Sequence, residues 1–308
     1  MIKPLFDTLA LVGVGLIGSS IARAARAQGA VREIVATARS PKTRARGAEL
    51  GIADNVVETN AQAVEGADLV IVCVPVGVCG TVAKEIGPLL KQSATVSDVG
   101  SVKGSILRDM APHLPKTVHF VPAHPVAGTE HSGPDAGFAE LFENRWCILT
   151  PPEGADPGAV EKLAAFWRLL GAKVEIMTAE HHDIVLAITS HVPHLIAYNI
   201  VGTAADMEQI TQSEVVKFSA GGFRDFTRIA ASDPVMWRDV FLNNKEAVLE
   251  MLGRFSEDLA ALQRMIRWDD GDALEELFTR TRAIRRGIIE AGQDTAAADF
   301  GRPHGHED

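Results

Sequence analysis

The chain has 308 residues, 46% hydrophobic and 23% charged, the composition of an ordinary globular protein long enough for two domains and a sizeable core. A formal net charge of -10 argues against nucleic acid or an anionic membrane as partner, yet leaves room for an anionic small molecule held by a local arginine. The three cysteines, Cys73, Cys79 and Cys147, fall at no metal-ligand or disulfide spacing and read as reduced core residues of a cytoplasmic protein.

The first predicted element is a strand over Leu9 to Val12, an uncharged run suited to burial on both faces of a parallel sheet. Gly13, Gly15 and Gly18 follow as G-x-G-x-x-G, a helical pattern follows at once through Ile21, Ala24 and Ala25, and Gly13, Gly15, Leu16, Ile17 and Gly18 are the candidate cofactor-binding residues of this stretch. Gly13 suits the tight turn, Gly15 a close backbone approach to a pyrophosphate, and Gly18 close packing of helix on strand. The free N–H groups of that helix then face the phosphates of a dinucleotide. This apolar N-terminus is therefore a glycine fingerprint rather than a signal sequence, and no apolar run reaches the ~20 residues of a membrane span.

Glu33 to Ala38 is the second predicted strand. An NAD-binding unit commonly ends it with a carboxylate for the ribose hydroxyls, but here the chain reads Thr37-Ala38-Arg39-Ser40. Arg39, with Thr37 and Ser40, suits a 2′-phosphate, so NADP is favoured slightly over NAD. A helix over Thr43 to Leu50 ends at Gly51; Asp68 to Val74 is a buried strand closing on Pro75 and Val76; a helix spans Val82 to Leu90; Ala94 to Val99 is the next strand. This rhythm predicts a doubly wound, Rossmann-type parallel sheet, with Pro75-Val76 and Ser97 to Ser101 at the ligand-binding edge.

His119 to Ala123 is a short strand running into the loop HPVAGTEHSGP. Trp146 to Thr150 and Lys173 to Met177 are late strands around a helix from Pro157 to Leu170. After Thr178 the strand signals stop, and helices are predicted at Ala179 to Ala205, Asp206 to Phe218, Pro234 to Phe241, Asn243 to Ile266 and Asp270 to Ala291. The expected organisation is a dinucleotide-binding domain over residues 1–178, an all-helical domain over 179–292 and a disordered tail over 293–308, where His304 and His306 form no metal site.

Three polar groups carry the candidate chemistry. His124, directly after a strand in the loop with Glu130, suits a general base near neutral pH. His191 and His194 lie three apart on one helix face, with no further ligands nearby for a metal. Ala220 to Trp237 crowds Arg224, Asp225, Arg228 and Trp237 into a stretch with little apolar periodicity.

The motifs GVGLIGSS, DVGSVKG, HPVAGTEHSG, TSHVPH and GGFRDFTRIAASDPVMWRD, in this order from Leu9 to about Leu242, closely resemble the prephenate/arogenate (cyclohexadienyl) dehydrogenase family of tyrosine biosynthesis. The resemblance implies an N-terminal cofactor domain, a helical domain that forms a homodimer, and an active site between them. It also implies His124 as catalytic base with Ser101 as its partner and Arg228 on the ring carboxylate. His191 and His194 fall to the substrate side, with Glu130 and Trp237 in the same set. Many members end the second strand with an aspartate, and Ala38 departs from that. Two other readings compete: a β-hydroxyacid dehydrogenase, for which only Lys217 and Lys245 are available as a helical catalytic lysine, and a cofactor-sensing regulator, which needs neither His124 nor Arg228.

Overall fold

The computed structural model describes residues 3–129, 131–211 and 221–290. Six parallel strands form one sheet: β1 (Phe6–Val12), β2 (Val31–Thr37), β3 (Asn55–Val57), β4 (Leu69–Val72), β5 (Thr95–Asp98) and β6 (His119–Phe120). Their order, β3-β2-β1-β4-β5-β6, reverses direction of growth at β1 and β4. That switch point opens a crevice at the carboxyl ends of the strands, the place where open α/β sheets bind ligands. Residues alternate between two cores: Leu9 and Leu11 of β1 enter the layer holding Phe166 and Trp167, while Ala10 and Val12 enter the layer holding Ile86 and Met110. All four residues of β4, Leu-Val-Ile-Val, are fully buried, which is why this strand carries no polar alternation.

The connecting helices are α1 (Leu16–Ala27), α2 (Pro41–Glu49), α3 (Asn60–Val64), α4 (Cys79–Ile86) and α5 (Lys103–Met110). The sequence reading left out β3, α3 and α5. Each is short, and α5 begins with Lys-Gly-Ser, a weak helical signal.

The last strands depart from expectation. His119 to Ala123 is not one strand: it breaks at Val121-Pro122 into β6 and β7 (Ala123–Pro125). Pro122 has no N–H to continue the ladder, and the chain leaves the first sheet there. β7 pairs antiparallel with β8 (Trp146–Leu149), which pairs parallel with β9 (Lys173–Ile176), giving a separate three-stranded sheet. His124 therefore stands within a strand, opposite Ile148, rather than in a loop. The helix α6 (Pro157–Leu169), capped by Asp156 with Pro157 at its first position, joins β8 to β9.

From Thr178, whose hydroxyl accepts from the His181 N–H, the chain is helical: α7 (Ala179–Leu186), a π turn (Ala187–His191), α8 (Val192–Thr211), then helices Gly221–Thr227, Pro234–Asn243, Lys245–Arg267 and Gly271–Glu290. The expected break at Asp206 is absent, and α8 continues through it to Thr211. The expected helix to Phe218 and the tail 293–308 extend outside the described residues. Compact units divide at Leu249/Glu250, early in the helix Lys245–Arg267. Residues 179–249 group with the sheet because Asp183 bonds to the α5 backbone and Trp237 and Val240 enter a core of the sheet.

The helical run Ala179–Met207, 29 residues with an 18-residue stretch of mean hydropathy 1.5, is long and apolar enough to cross a membrane by length and composition. It also carries His182, Asp183 and His191 buried and hydrogen-bonded, while 28% of its apolar stretch is buried and Ile184, Ile188, Ile200 and Val201 are exposed.

Candidate active site

The glycine turn closes the carboxyl end of β1. Gly13 has φ +111°, and a Cβ there would stand 2.4 Å from the Cys73 carbonyl oxygen. A Cβ on Gly18 would stand 2.1 Å from the Gly13 carbonyl oxygen, so only glycine lets α1 sit this close to the turn. Gly15 is different: a Cβ there would meet nothing within 4 Å, so its backbone borders open space. Gly15 caps α1 without a side-chain hydrogen bond, and the first turn holds no acidic residue. The N–H groups of Leu16, Ile17 and Gly18 have no partners within the helix and are left for an anion. These features fit the pyrophosphate of a dinucleotide.

The other expected cofactor residues divide. Pro75 is exposed at the end of β4, while Val76 is buried and lies 3.0 Å from where a Gly100 Cβ would stand. At the end of β2 no carboxylate appears. The Arg39 side chain is exposed and has no partner among the described residues. Thr37 is buried and donates to the Val57 carbonyl, whereas the exposed Ser40 hydroxyl accepts from the Thr43 N–H as the cap of α2 and keeps its own proton to donate.

Beyond the turn lies a buried polar chain. His124 Nδ1 is 2.8 Å from His182 Nε2, and His182 Nδ1 is 2.8 Å from Asp183 Oδ1. The Asp183 carboxylate also accepts the Lys103 N–H on Oδ1 and the Gly104 N–H on Oδ2, both at 2.8 Å, at the N-terminus of α5. With acceptors only, Asp183 fixes the proton of His182 on Nδ1. The lone pair of His182 Nε2 then receives the Nδ1–H of His124. His124 is left with Nε2 as its free basic nitrogen. Burial, then the charges of His182, Lys103 and His191, hold the His124 pKa well below the usual histidine value, so the ring is neutral at neutral pH. Burial also lowers His182, against the pull of the Asp183 hydrogen bond.

Lys103 braces this chain from beneath. Its ammonium, fully buried, donates to Asp98 Oδ2 at 2.5 Å and to the Ala123 carbonyl at 2.7 Å, one residue before His124. Asp98 accepts in turn from the Gly100 and Ala123 N–H groups. The pair is paid for by these hydrogen bonds; with either partner removed, a bare buried charge remains, which costs about 3–5 kcal/mol.

His191 ends the π turn, a helical irregularity common at functional sites. Asn244 Nδ2 donates to the Asp183 carbonyl and lies 3.1 Å from His191 Nδ1, joining His191 to the same chain. Burial lowers the His191 pKa to about 4. The Trp237 Nε1 is buried without a hydrogen-bond partner among the described residues, while the His191 ring faces the Ser101 backbone, whose hydrogen bond raises its pKa against the burial. Trp237 stacks on His194 with ring centroids 3.6 Å apart and meets His191 edge-on at 6.1 Å. His194 Nδ1 donates to the Ser190 carbonyl. Arg228 opens the short turn after helix Gly221–Thr227, is exposed, and its charge reaches His194.

Of the expected residues, then, His124, His191, His194, Trp237 and Arg228 converge. The Ser101 hydroxyl makes no hydrogen bond among the described residues and His124 Nδ1 faces His182, while the Ser101 backbone meets the His191 ring. Glu130 lies outside the described residues. Sequence reasoning missed His182, Asp183, Asn244, Asp98 and Lys103. Signals existed for three of them: a His-Asp pair in the first turns of a capped helix, and a lone aspartate closing an apolar strand.

Residues 21–176 match the family described as "Prephenate dehydrogenase, nucleotide-binding domain" and residues 178–280 "Prephenate dehydrogenase, dimerization domain". The cyclohexadienyl dehydrogenase of Zymomonas mobilis is 43% identical over 283 residues, 92% of this chain and 96% of that protein. The prephenate dehydrogenase of Bacillus subtilis is 33% identical over 92% of this chain and 76% of its own length. Among solved structures, the prephenate dehydrogenase of Aquifex aeolicus in complex with hydroxyphenyl propionate and NAD+ superposes with a TM-score of 0.85 at 35% identity, covering 92% of this chain and 98% of that one. The arogenate dehydrogenase of Synechocystis gives 0.77 at 26% identity, covering 91% and 99%.

Proposed function

The chain belongs to the prephenate dehydrogenase family, and from that premise we propose that His124 Nε2 is the base of the reaction, held in its working tautomer by His182 and Asp183. The protein is a nicotinamide-dependent dehydrogenase that oxidatively decarboxylates prephenate or arogenate in tyrosine biosynthesis. The observation that carries the residue assignment is the unbroken chain Asp183–His182–His124, each contact 2.8 Å.

The substrate ring carries a carboxylate at one carbon and a hydroxyl with a C–H bond at the opposite carbon. The bound nicotinamide supplies the acceptor for the hydride of that C–H bond. His124 Nε2 takes the hydroxyl proton as the C–O bond gains carbonyl character. The bond to the carboxylate then breaks, CO2 leaves, and its electron pair completes the aromatic ring. The proton returns from His124 to the phenolate oxygen, so the histidine ends neutral. Asp183 stabilises the transient imidazolium through His182 without itself taking the proton.

Arg228 is proposed to hold the ring carboxylate by a bidentate pair. Trp237 and His194 form an apolar, stacked wall on that side. Gly13, Gly15, Leu16, Ile17, Gly18, Pro75 and Val76 are proposed to border the cofactor. The lack of a carboxylate after β2, with Arg39 exposed there, supports NADP used at least as well as NAD. The helical part is proposed to form the homodimer, since its long helices leave Leu259, Ile266, Phe278, Ile284 and Ile288 exposed. A small-molecule biosynthetic role supports a cytoplasmic location.

The test is purified protein with prephenate and with arogenate, each with NAD and NADP, read as absorbance of the reduced nicotinamide. Reduction with at least one substrate is expected, and NADP should match or exceed NAD in kcat/KM. In Arg228→Ala the KM for the substrate should rise by an amount equivalent to about 2–4 kcal/mol, with kcat less affected. No reduction with either substrate overturns the assignment, and an NAD preference above about tenfold overturns the cofactor reading.

A further inference from the structure

Arg44 makes a contact that nothing in the dinucleotide fingerprint calls for. From the first turns of α2 its Nη1 reaches back to the carbonyl oxygens of Ala38 at 2.8 Å and Arg39 at 3.1 Å. A guanidinium is thereby fixed across the turn that ends β2, where an NAD-binding unit places its ribose carboxylate. We propose that Arg44 is the residue that selects the adenosine 2′-phosphate of the cofactor, with Arg39 as its second, less ordered cation. The proposal rests on the NADP reading above and assigns its specificity to a particular side chain.

Several observations support Arg44 over Arg39. Arg44 is half-buried and already ordered by two hydrogen bonds, so little rotamer freedom is lost when an anion arrives. Arg39 is exposed and its side chain has no partner among the described residues, so it must be ordered at the moment of binding. Only Nη1 of Arg44 is engaged, which leaves the Nε and Nη2 donors for two phosphate oxygens in the fork geometry that guanidinium offers. Nothing acidic stands in the first turn of α2 to neutralise it. Of the acids around this turn, Glu49 and Asp135 pair with Arg46 and Glu33 accepts from Asn55, while Glu58, one residue beyond the Thr37–Val57 pair, is exposed and makes no ion pair with Arg44. The Thr37 hydroxyl proton is committed to the Val57 carbonyl, while the Ser40 hydroxyl, which accepts from the Thr43 N–H, keeps its own proton to donate beside the guanidinium groups.

A carboxylate at position 38 would therefore act twice. It would accept from the ribose hydroxyls, and it would pair with Arg44 and remove it from phosphate recognition. An aspartate there switches preference more strongly than repulsion of the phosphate alone would.

The experiment is isothermal titration of the full-length protein with adenosine 2′,5′-bisphosphate and with adenosine 5′-monophosphate, alongside kcat/KM for NADP and NAD. The quantity read is the ratio of the two affinities. In Arg44→Ala that ratio should fall about 10–100-fold, as expected for loss of charge-assisted hydrogen bonds. In Arg44→Lys, which keeps charge without the fork, the fall should be smaller, and in Arg39→Ala smaller than in Arg44→Ala. An unchanged ratio in Arg44→Ala, including one in which both ligands weaken alike, overturns the proposal. If the wild-type protein prefers NAD yet Arg44→Ala still lowers the ratio, the cofactor preference falls while the role of Arg44 stands.

Discussion

The glycine turn and the histidine chain are two polar sites assembled in opposite ways. The turn occupies Gly13 to Gly18 and works through backbone N–H groups and the space left by missing side chains. The chain works through side chains brought together from distant places: His124 and His182 are 58 residues apart, and Lys103 and Asp183 are 80 apart. A site made of backbone needs a local conformation, and local conformation needs particular residues at fixed spacing. A site made of buried side chains needs only that the fold bring them together, so its members are free to lie anywhere in the sequence. The two should also fail differently: the turn through shape, the chain through proton placement.

The largest difference is expected at His124. Replacement by Asn removes the base while keeping a polar side chain of similar reach. kcat should fall by roughly 10²–10⁴-fold with KM nearly kept. Ser101→Ala is the contrast, since Ser101 makes no bond to His124, and its kcat should stay within about tenfold of wild type. Near-normal kcat in His124→Asn, measured at saturating substrate, removes His124 from the chemistry.

The next difference concerns pH. The folded-state pKa of His191 is about 4, below the usual value of about 6.5 expected unfolded. Between these values the unfolded chain binds more protons, so stability falls as pH falls. The contribution is fully present above about 6.5 and is lost on acidification towards 4, an effect on the order of 3 kcal/mol for His191, with His182 and His124 acting in the same direction. Denaturant midpoints taken from pH 7.5 to 4.5 should show it, and a smaller slope is expected in His191→Gln. A midpoint that does not move over that range contradicts the buried, neutral state of these rings. The glycine turn titrates nothing and adds nothing to this slope.

The smallest effects sharpen the turn itself. Gly18→Ala forces a Cβ against the Gly13 carbonyl and should destabilise the protein by about 1–3 kcal/mol, as overpacking does. Gly15→Ala puts the same atom into open space. It should leave the thermal midpoint near wild type while weakening the cofactor, because the methyl occupies the pyrophosphate's approach. Equal loss of stability in both variants, by calorimetry, would show that Gly15 is a packing residue.

Most of the Rossmann sheet was legible in sequence because buried parallel strands are apolar runs closed by glycine, proline or aspartate, as β1, β4 and β5 are. What sequence did not show were short elements and the change of sheet at Pro122. Two residues without regular pairing, Val121 and Pro122, turned His124 from a loop residue into a strand residue. In the site, His124 and Arg228 stood out through their motifs. His182 was concealed in His181-His182-Asp183, where nothing local says which histidine points inward. Thr178 capping α7 decides that, and it places His181 towards solvent and His182 at 0% exposure. Lys103 was concealed for the opposite reason, since a lysine in a glycine-rich loop reads as solvated, yet this one is fully buried.

The most direct measurement is the tautomer of His124, by long-range proton–nitrogen correlation on protein labelled with ¹⁵N-histidine at pH 7.5. A neutral ring protonated on Nδ1 is expected for both His124 and His182, the form that free histidine disfavours. In Asp183→Asn the amide can donate to His182 Nδ1 and reverse both rings, and kcat should fall on the order of 10²-fold or more, as for a base held in the wrong tautomer. A wild-type His124 found protonated on Nε2, or charged, at that pH would contradict the assignment.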